Sequence, residues 1–419
     1  MKKRFFCLLL GVLFLSGCGP FPEGNPAVTT ESTTQSTETT TTAPVATEPT
    51  ETEPTETEPT ETEPTETEPV ETEPTETEPV ETEPTETEPV ETEPTETEPT
   101  EPSSERVEIT MTFVGDCTLG TNQNHSYTNS FHEYYDKNGP DYFLEDVRSI
   151  FEADDITVVN LEGSLTNSND RQQRQYNHKG KPEYVQILSG SSVEVATLGN
   201  NHRMDYGASG FNETTKTLDE AGISYCYNSS FLVYEVKGIR IGFVSVNEAS
   251  EGMGVMSYLK DGYTYLKEQG CAATVACVHW GGDKTSVLES NQKNIGKELI
   301  DMGYDLVIGN HPHVLQAMNL YEGKFICYSL GNFCYGGNKN PKDKDSGIFQ
   351  QTFSFQNGKL LPVVDARFIP CSLSSRSDTN TYRPTLSDGE EALRIIQKVN
   401  GYSADFGLQL DEKGCPILP

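Results

Sequence analysis

Beyond residue 105 the chain alternates short apolar runs with amphipathic or polar stretches, the pattern of strands interleaved with helices. Val107 to Val114 reads as a buried strand that runs straight into Gly115-Asp116. A helix is expected near Phe143 to Phe151, followed by a second buried strand, Ile156 to Val159, that ends at Asn160-Leu161-Glu162. Val193 to Leu198 ends at Gly199-Asn200-Asn201-His202, and a helix from about Ser209 to Ala221 is stopped by Gly222. Phe231 to Val236 and Ile239 to Val246 flank Lys237-Gly238 as a hairpin. Thr274 to Val278 ends at His279-Trp280, and a helix around Leu288 to Met302 leads to Leu306 to Ile308, which ends at Gly309-Asn310-His311-Pro312-His313. After about Lys324 the sequence becomes richer in strand-like runs. The fold class is α/β.

The strands repeatedly end in polar clusters. In open α/β sheets the loops at the carboxyl ends of strands converge on one crevice, where ligands bind. Five strand ends therefore bring Asp116, Glu162, Asn201 with His202, His279, and His311 with His313 toward one place. A single histidine would read as structural, but four of the seven in the chain fall in these clusters. With Asp, Glu and Asn they form a mixed nitrogen and oxygen set suited to one or two divalent ions such as Zn, Mn or Fe. Alternate residues of an extended stretch point the same way and Pro312 stiffens the segment, so His311 and His313 face one pocket. Two ions about 3.5–4 Å apart would polarise a phosphoryl oxygen and supply a hydroxide nucleophile.

Charge divides the chain. Of 65 acidic and 30 basic residues, the stretch 19–105 holds 26 Glu and no Asp, Lys or Arg. Residues 106–419 hold 39 acidic against 27 basic residues, a net −12 that is ordinary for a body of this length. No basic stripe is present to neutralise phosphates, which excludes nucleic acid as the expected partner. From Thr47 to about Glu101 the chain repeats Thr-Glu-Pro-(Thr or Val)-Glu. Proline at every fifth position and the lack of aromatics after Phe21 leave no core to form, so a disordered Thr/Glu/Pro repeat tail is expected. At roughly 3.1 Å per residue, about 80 such residues reach on the order of 200 Å as an extended spacer. Ahead of it, Lys2, Lys3 and Arg4 precede an apolar run of 11 residues, Phe5 to Leu15, too short to span a hydrocarbon core of about 30 Å. Leu15-Ser16-Gly17-Cys18 resembles a lipoprotein lipobox, with Cys18 as the lipidation site. The expected organisation is thus a lipoprotein signal peptide over 1–18, a spacer over 19–105 and a folded domain over 106–419. The protein is expected to be extracytoplasmic, lipid-anchored to the outer face of the cytoplasmic membrane.

Six motifs stand in order along the body: Phe113-Val-Gly-Asp116; Asn160-Leu-Glu162; Asn200-Asn-His202 with Asp205-Tyr-Gly207; His279-Trp-Gly281; Gly309-Asn-His-Pro-His313-Val-Leu-Gln316; and Tyr328-Ser-Leu-Gly-Asn-Phe333. Together they resemble the CapA-type proteins of poly-γ-glutamate capsule synthesis, a family similar to the calcineurin-like metallophosphoesterases. The resemblance implies a four-layer αββα sandwich with a metal site at the strand ends. It implies Asp116, Glu162, Asn201, His279, His311 and His313 as metal ligands, His202 as acid/base or charge stabiliser, and Asp205 as the shaper of the loop that carries it. Asn332 would help close the site, while Trp280 and Asp283 would contact substrate. Thr118 departs from the phosphoesterase pattern, standing where an Asp-x-His histidine would be. The function so implied is a cell-surface component of poly-γ-glutamate synthesis or export, working with other capsule synthase subunits through a hydrolase- or transferase-like site on an anionic polymer or phosphoester. A phosphoesterase unrelated to capsule and a non-catalytic polymer-binding subunit are the alternatives. The eight cysteines of the body are expected to be mostly buried free thiols, and none is paired with a histidine as a nucleophile would be.

Overall fold

The computed structural model describes residues 106–363 and 365–418. Cys18, the leader and the Thr/Glu/Pro repeat lie outside the described residues. The body is mixed α/β. Its larger sheet is built on Arg106–Thr118, which pairs in parallel with Ile156–Leu161 and antiparallel with Asp345–Gln356. Val195–Thr197 and Ser224–Cys226 extend the parallel side, while Asp365–Ser372 and Thr385–Leu386 extend the antiparallel side. The second sheet runs Met318–Tyr321, Lys324–Cys327, Leu306–Asn310, Ala273–His279, Ile239–Asn247, Leu232–Val236. Its inner members are parallel, so Asn247, His279 and Asn310 end level with one another.

Side-chain alternation places the core. Ile109, Met111 and Phe113 of the first sheet pack in one apolar cluster with Ile241, Phe243, Val275, Cys277 and Ile308 of the second, so the sheets share an inner layer. Val114, Val159 and Ala196 face the other way, against Phe131, Phe143, Phe151 and Leu218. Val244, Ala276 and Val307 likewise turn toward Leu259, Leu266, Ile295 and Leu299. Helices thus cover both outer faces. Each fully buried large side chain contributes about 1.5–3 kcal/mol.

Most expected elements form. The helix Gly207–Ala221 ends at Gly222 in a left-handed conformation, φ 71°, as a C-terminal glycine permits. Leu232–Val236 and Ile239–Asn247 form the hairpin, with Lys237 and Gly238 both at positive φ. One of these expectations is corrected, and one element is added to them. The helix placed from Phe143 begins only at Arg148, because Phe143 and Leu144 sit in turns that drive their side chains into the core. The C-terminal third also adds an amphipathic helix, Gly389–Ser403, packed by Ile395, Ile396 and Val399. Among the described residues no helix is long and apolar enough to cross a membrane. All eight described cysteines are free, seven of them buried.

A small three-stranded sheet positions the site. Ser164–Leu165 and Thr121–Asn122 flank His178–Gly180, tying together the loops that follow the first two long strands. Gly163, at φ 138°, lets this layer close: a Cβ there would lie 3.1 Å from that of His178.

Candidate metal centre

A register shift between Phe113 and Asp116 re-aims the end of the first strand, and Asp116 is fully buried there. Its Oδ1 accepts from Asn160 Nδ2 at 2.8 Å, and its Oδ2 lies 3.0 Å from His313 Nδ1. Asn332 Oδ1 lies 2.9 Å from the same His313 nitrogen, while its amide donates to the His313 carbonyl. These two oxygens require Nδ1 to carry hydrogen, which leaves Nε2 facing Glu162 at 3.7 Å. His311 and His313 both adopt positive φ, 99° and 59°, a conformation costly for residues other than glycine. This backbone, rather than extended alternation about Pro312, is what turns both rings inward.

Glu162 is the centre of the arrangement. It is fully buried, and neither carboxylate oxygen has a hydrogen-bond partner among the described residues. Its Oε1 lies 3.5 Å from His279 Nε2 and 4.0 Å from His202 Nε2. His279 Nε2 also lies 3.0 Å from Asn201 Oδ1 and 3.1 Å from His311 Nδ1. Ligand atoms of Glu162, His311 and His313 lie within 4.8 Å of one another. Burial pushes Glu162 up to about 7, opposed by the neighbouring His313. Burial also holds His279 well below its ordinary range, and with His313 beside it brings His311 to about 4. Both rings are therefore neutral at pH 7, the form that binds metal. For His313 burial opposes charge, but Glu162 and Asp116 outweigh it and lift the ring to about 9.

A buried carboxylate without hydrogen-bond partners, facing imidazole nitrogens, fits a divalent cation, which would satisfy its oxygens. Carboxylate, imidazole and amide oxygen donors are compatible with several divalent metals and select none uniquely.

His202 stands at the edge, with Nδ1 2.7 Å from Asp205 Oδ2. Asp205 is buried and also accepts from the His178 backbone amide and from Arg174. It orients His202 and does not itself face Glu162. Asp283 is exposed and paired with Lys284. Trp280 corrects an expectation: it is fully buried, stacked on Tyr328 with ring centroids 5.8 Å apart and Nε1 donating to the Tyr328 carbonyl. Its ring packs the core and offers no surface to a substrate.

Sequence reasoning assigned no role to four neighbours. Asn160 and Asn200 brace the loops, Asn200 donating to Asn160 Oδ1 and to the Leu161 carbonyl. Both stand inside motifs, which was their signal. Arg174 donates through one Nη to Asp205 and the Asn201 carbonyl while its side chain stays 37% exposed at the rim. His178 packs against His202 with ring centroids 4.2 Å apart. Neither Arg174 nor His178 lies in a motif, and only the fold brings them here.

These features define an α/β protein with a histidine- and carboxylate-lined cluster, suited to a divalent cation, where its parallel strands end. The chain belongs to the bacterial capsule synthesis protein PGA_cap family, whose pattern matches residues 110–336. It is 26% identical over 314 residues to the capsule biosynthesis protein CapA of Bacillus anthracis, covering 68% of this chain and 74% of that one. It is 27% identical over 263 residues to the PGA biosynthesis protein CapA of Bacillus subtilis (strain 168), covering 58% and 67%. A crystal structure of a hypothetical protein from Thermus thermophilus aligns at 16% identity with a TM-score of 0.39, covering 62% of this chain and 99% of that one.

Proposed function

We propose that this protein is an extracytoplasmic lipoprotein that serves poly-γ-glutamate capsule synthesis or export through a metal-dependent hydrolase- or transferase-type site on a metallophosphoesterase-like four-layer body. The observation that carries the chemistry is the unpartnered Glu162 carboxylate, ringed by His202, His279 and His313. Glu162, Asn201, His279 and His311 would hold one divalent ion, and Asp116 and His313 lie beside the same carboxylate to serve a second. A bound ion supplies Lewis acidity and a water acidic enough to act as nucleophile at neutral pH. Asp205 holds the Nδ1–H of His202, so that Nε2 can give or take a proton at the rim. Asn332 and Asp116 fix the orientation of His313, and the exposed part of Arg174 offers a cation to an anionic chain.

The reading places the anchor at Cys18 and assigns the Thr/Glu/Pro stretch the role of spacer from membrane to body. Capsule synthase subunits would be its partners. A second reading, a polymer-binding subunit without turnover, is favoured by Thr118, which puts a hydroxyl where a phosphoesterase carries an imidazole. Metal analysis of the full chain after Mn²⁺ loading tests the proposal together with surface poly-γ-glutamate in cells carrying His311→Ala. At least one ion per parent chain, with ion and surface polymer both lost in the variant, supports it. Less than one ion per parent chain refutes the metal site. Ion loss with unchanged polymer refutes its role in capsule.

A further inference from the structure

Glu162 lines a tight cavity together with Thr118, Ser164 and His178. Each of the four brings a buried polar atom that lacks a hydrogen-bond partner: Thr118 Oγ1, both Glu162 oxygens, Ser164 Oγ and His178 Nδ1. None of these residues is more than 4% exposed. One such orphan costs about 1–3 kcal/mol, so five around one cavity point to a ligand that satisfies them together.

The chemistry of the lining selects the ligand. The carboxylate and two hydroxyl oxygens are acceptors, and an imidazole nitrogen can present a lone pair. Lys179 also lines the cavity, but its ammonium is turned away to the Ser168 carbonyl at 2.7 Å and Asn169 Oδ1 at 3.3 Å. It leaves both Glu162 oxygens without a hydrogen-bond partner. A cation therefore fits and an anion does not. The position of His178 is fixed from three sides: its backbone amide donates to Asp205 Oδ2 at 2.6 Å, its ring packs on His202, and its Cβ abuts Gly163.

We infer that this cavity is a divalent-cation site, with Glu162 and His178 Nδ1 as its principal ligands and the Thr118 and Ser164 hydroxyls as neutral oxygen donors. The inference rests on the metal-binding reading of Glu162, whose carboxylate is then shared between this ion and the one facing His279 and His311. His178 enters from a different strand and supplies to the cavity an imidazole that Thr118 does not.

The test is the number of Mn²⁺ ions retained per full chain, by elemental mass spectrometry after loading and removal of free metal. His178→Phe keeps a ring against His202 but has no donor nitrogen, and Thr118→His returns an imidazole to the same cavity. The parent is expected to hold one ion more than His178→Phe, and the Thr118→His, His178→Phe double variant as many as the parent. Rescue in the double variant separates lost ligation from lost folding. Equal ion counts in the parent and His178→Phe overturn the inference. If His311→Ala still lowers that common count, the metal-binding reading of Glu162 stands, whereas a parent that holds no ion refutes both.

Discussion

Glu162 is fully buried and its carboxylate oxygens have no hydrogen-bond partner among the described residues, so it is the residue whose change separates metal binding from folding. If an ion binds there, at a metal concentration 100 times Kd it would add about 2.7 kcal/mol to the stability of the parent. Glu162→Gln is expected to lose that gain, read as an absent Mn²⁺-induced rise in Tm, while keeping a cooperative melt without metal. An equal rise in both proteins would remove Glu162 from the ligand set. His313 makes a second prediction in the ion-free protein. Burial works against its charge, but Glu162 and Asp116 raise it to about 9, so the folded state holds a proton that the unfolded chain releases near 6.5. The stability so contributed is present below about pH 6.5 and is lost as pH rises through about 9. Thermal melts in chelator should fall over that window for the parent and flatten for His313→Gln. A slope that survives in the variant would assign it to another group.

The strands that carry the site depend on close approaches that only small residues allow. A Cβ on Gly309, two residues before His311, would collide with the Tyr328 carbonyl oxygen and with Trp280 Nε1. Gly309→Ala is expected to cost at least about 2 kcal/mol in denaturant melts, since backbone cannot move aside as a flexible side chain would. In the other sheet, Asp345 ties the helix Gly389–Ser403 to the strand Asp345–Gln356 through Arg394 and Lys398. Burial alone would raise this carboxyl, but those two cations hold it below its usual range. A depressed carboxylate stabilises above its unfolded pKa and loses that contribution as pH falls through the folded value. Asp345→Asn should therefore cost about 1–3 kcal/mol at pH 7, a difference that shrinks as pH falls below the ordinary carboxylate range, measured in melts of both proteins over that descent. The strands ending in Asp116, Glu162 and His279 were legible because apolar runs stop abruptly at residues that carry chemistry. The helix Val255–Glu268 was not read, although Val255, Leu259, Gly262 and Leu266 mark its inner face. Gly262 weakens that stripe in sequence, yet it is required by the approach to Val244, where a Cβ would meet Cγ2 at 2.6 Å. His178 was illegible for a different reason: its site is made by pairing between loops distant in the chain, which no local pattern encodes.

For the molecule as a whole, acidity and substrate have to be reconciled. The body carries net −12, yet the polymer its family serves is polyanionic, and like charges repel over roughly a Debye length, about 8 Å at physiological ionic strength. The fold offers one local remedy. Bound cations at Glu162 would invert the sign of the field at the strand ends, and Arg174 adds a cation at the rim. Binding of poly-γ-glutamate should then require metal. Titration of the full chain with the polymer is expected to show affinity falling at least tenfold in chelator, recovering on Mn²⁺ addition, and weakening with added salt. Arg174→Ala should lower the affinity further in the presence of Mn²⁺ and change little in chelator, where no ion remains to organise the site. Binding that persists undiminished through chelation would instead locate the polymer on a surface away from Glu162, and would favour an assembly subunit whose histidine cluster is not the polymer site.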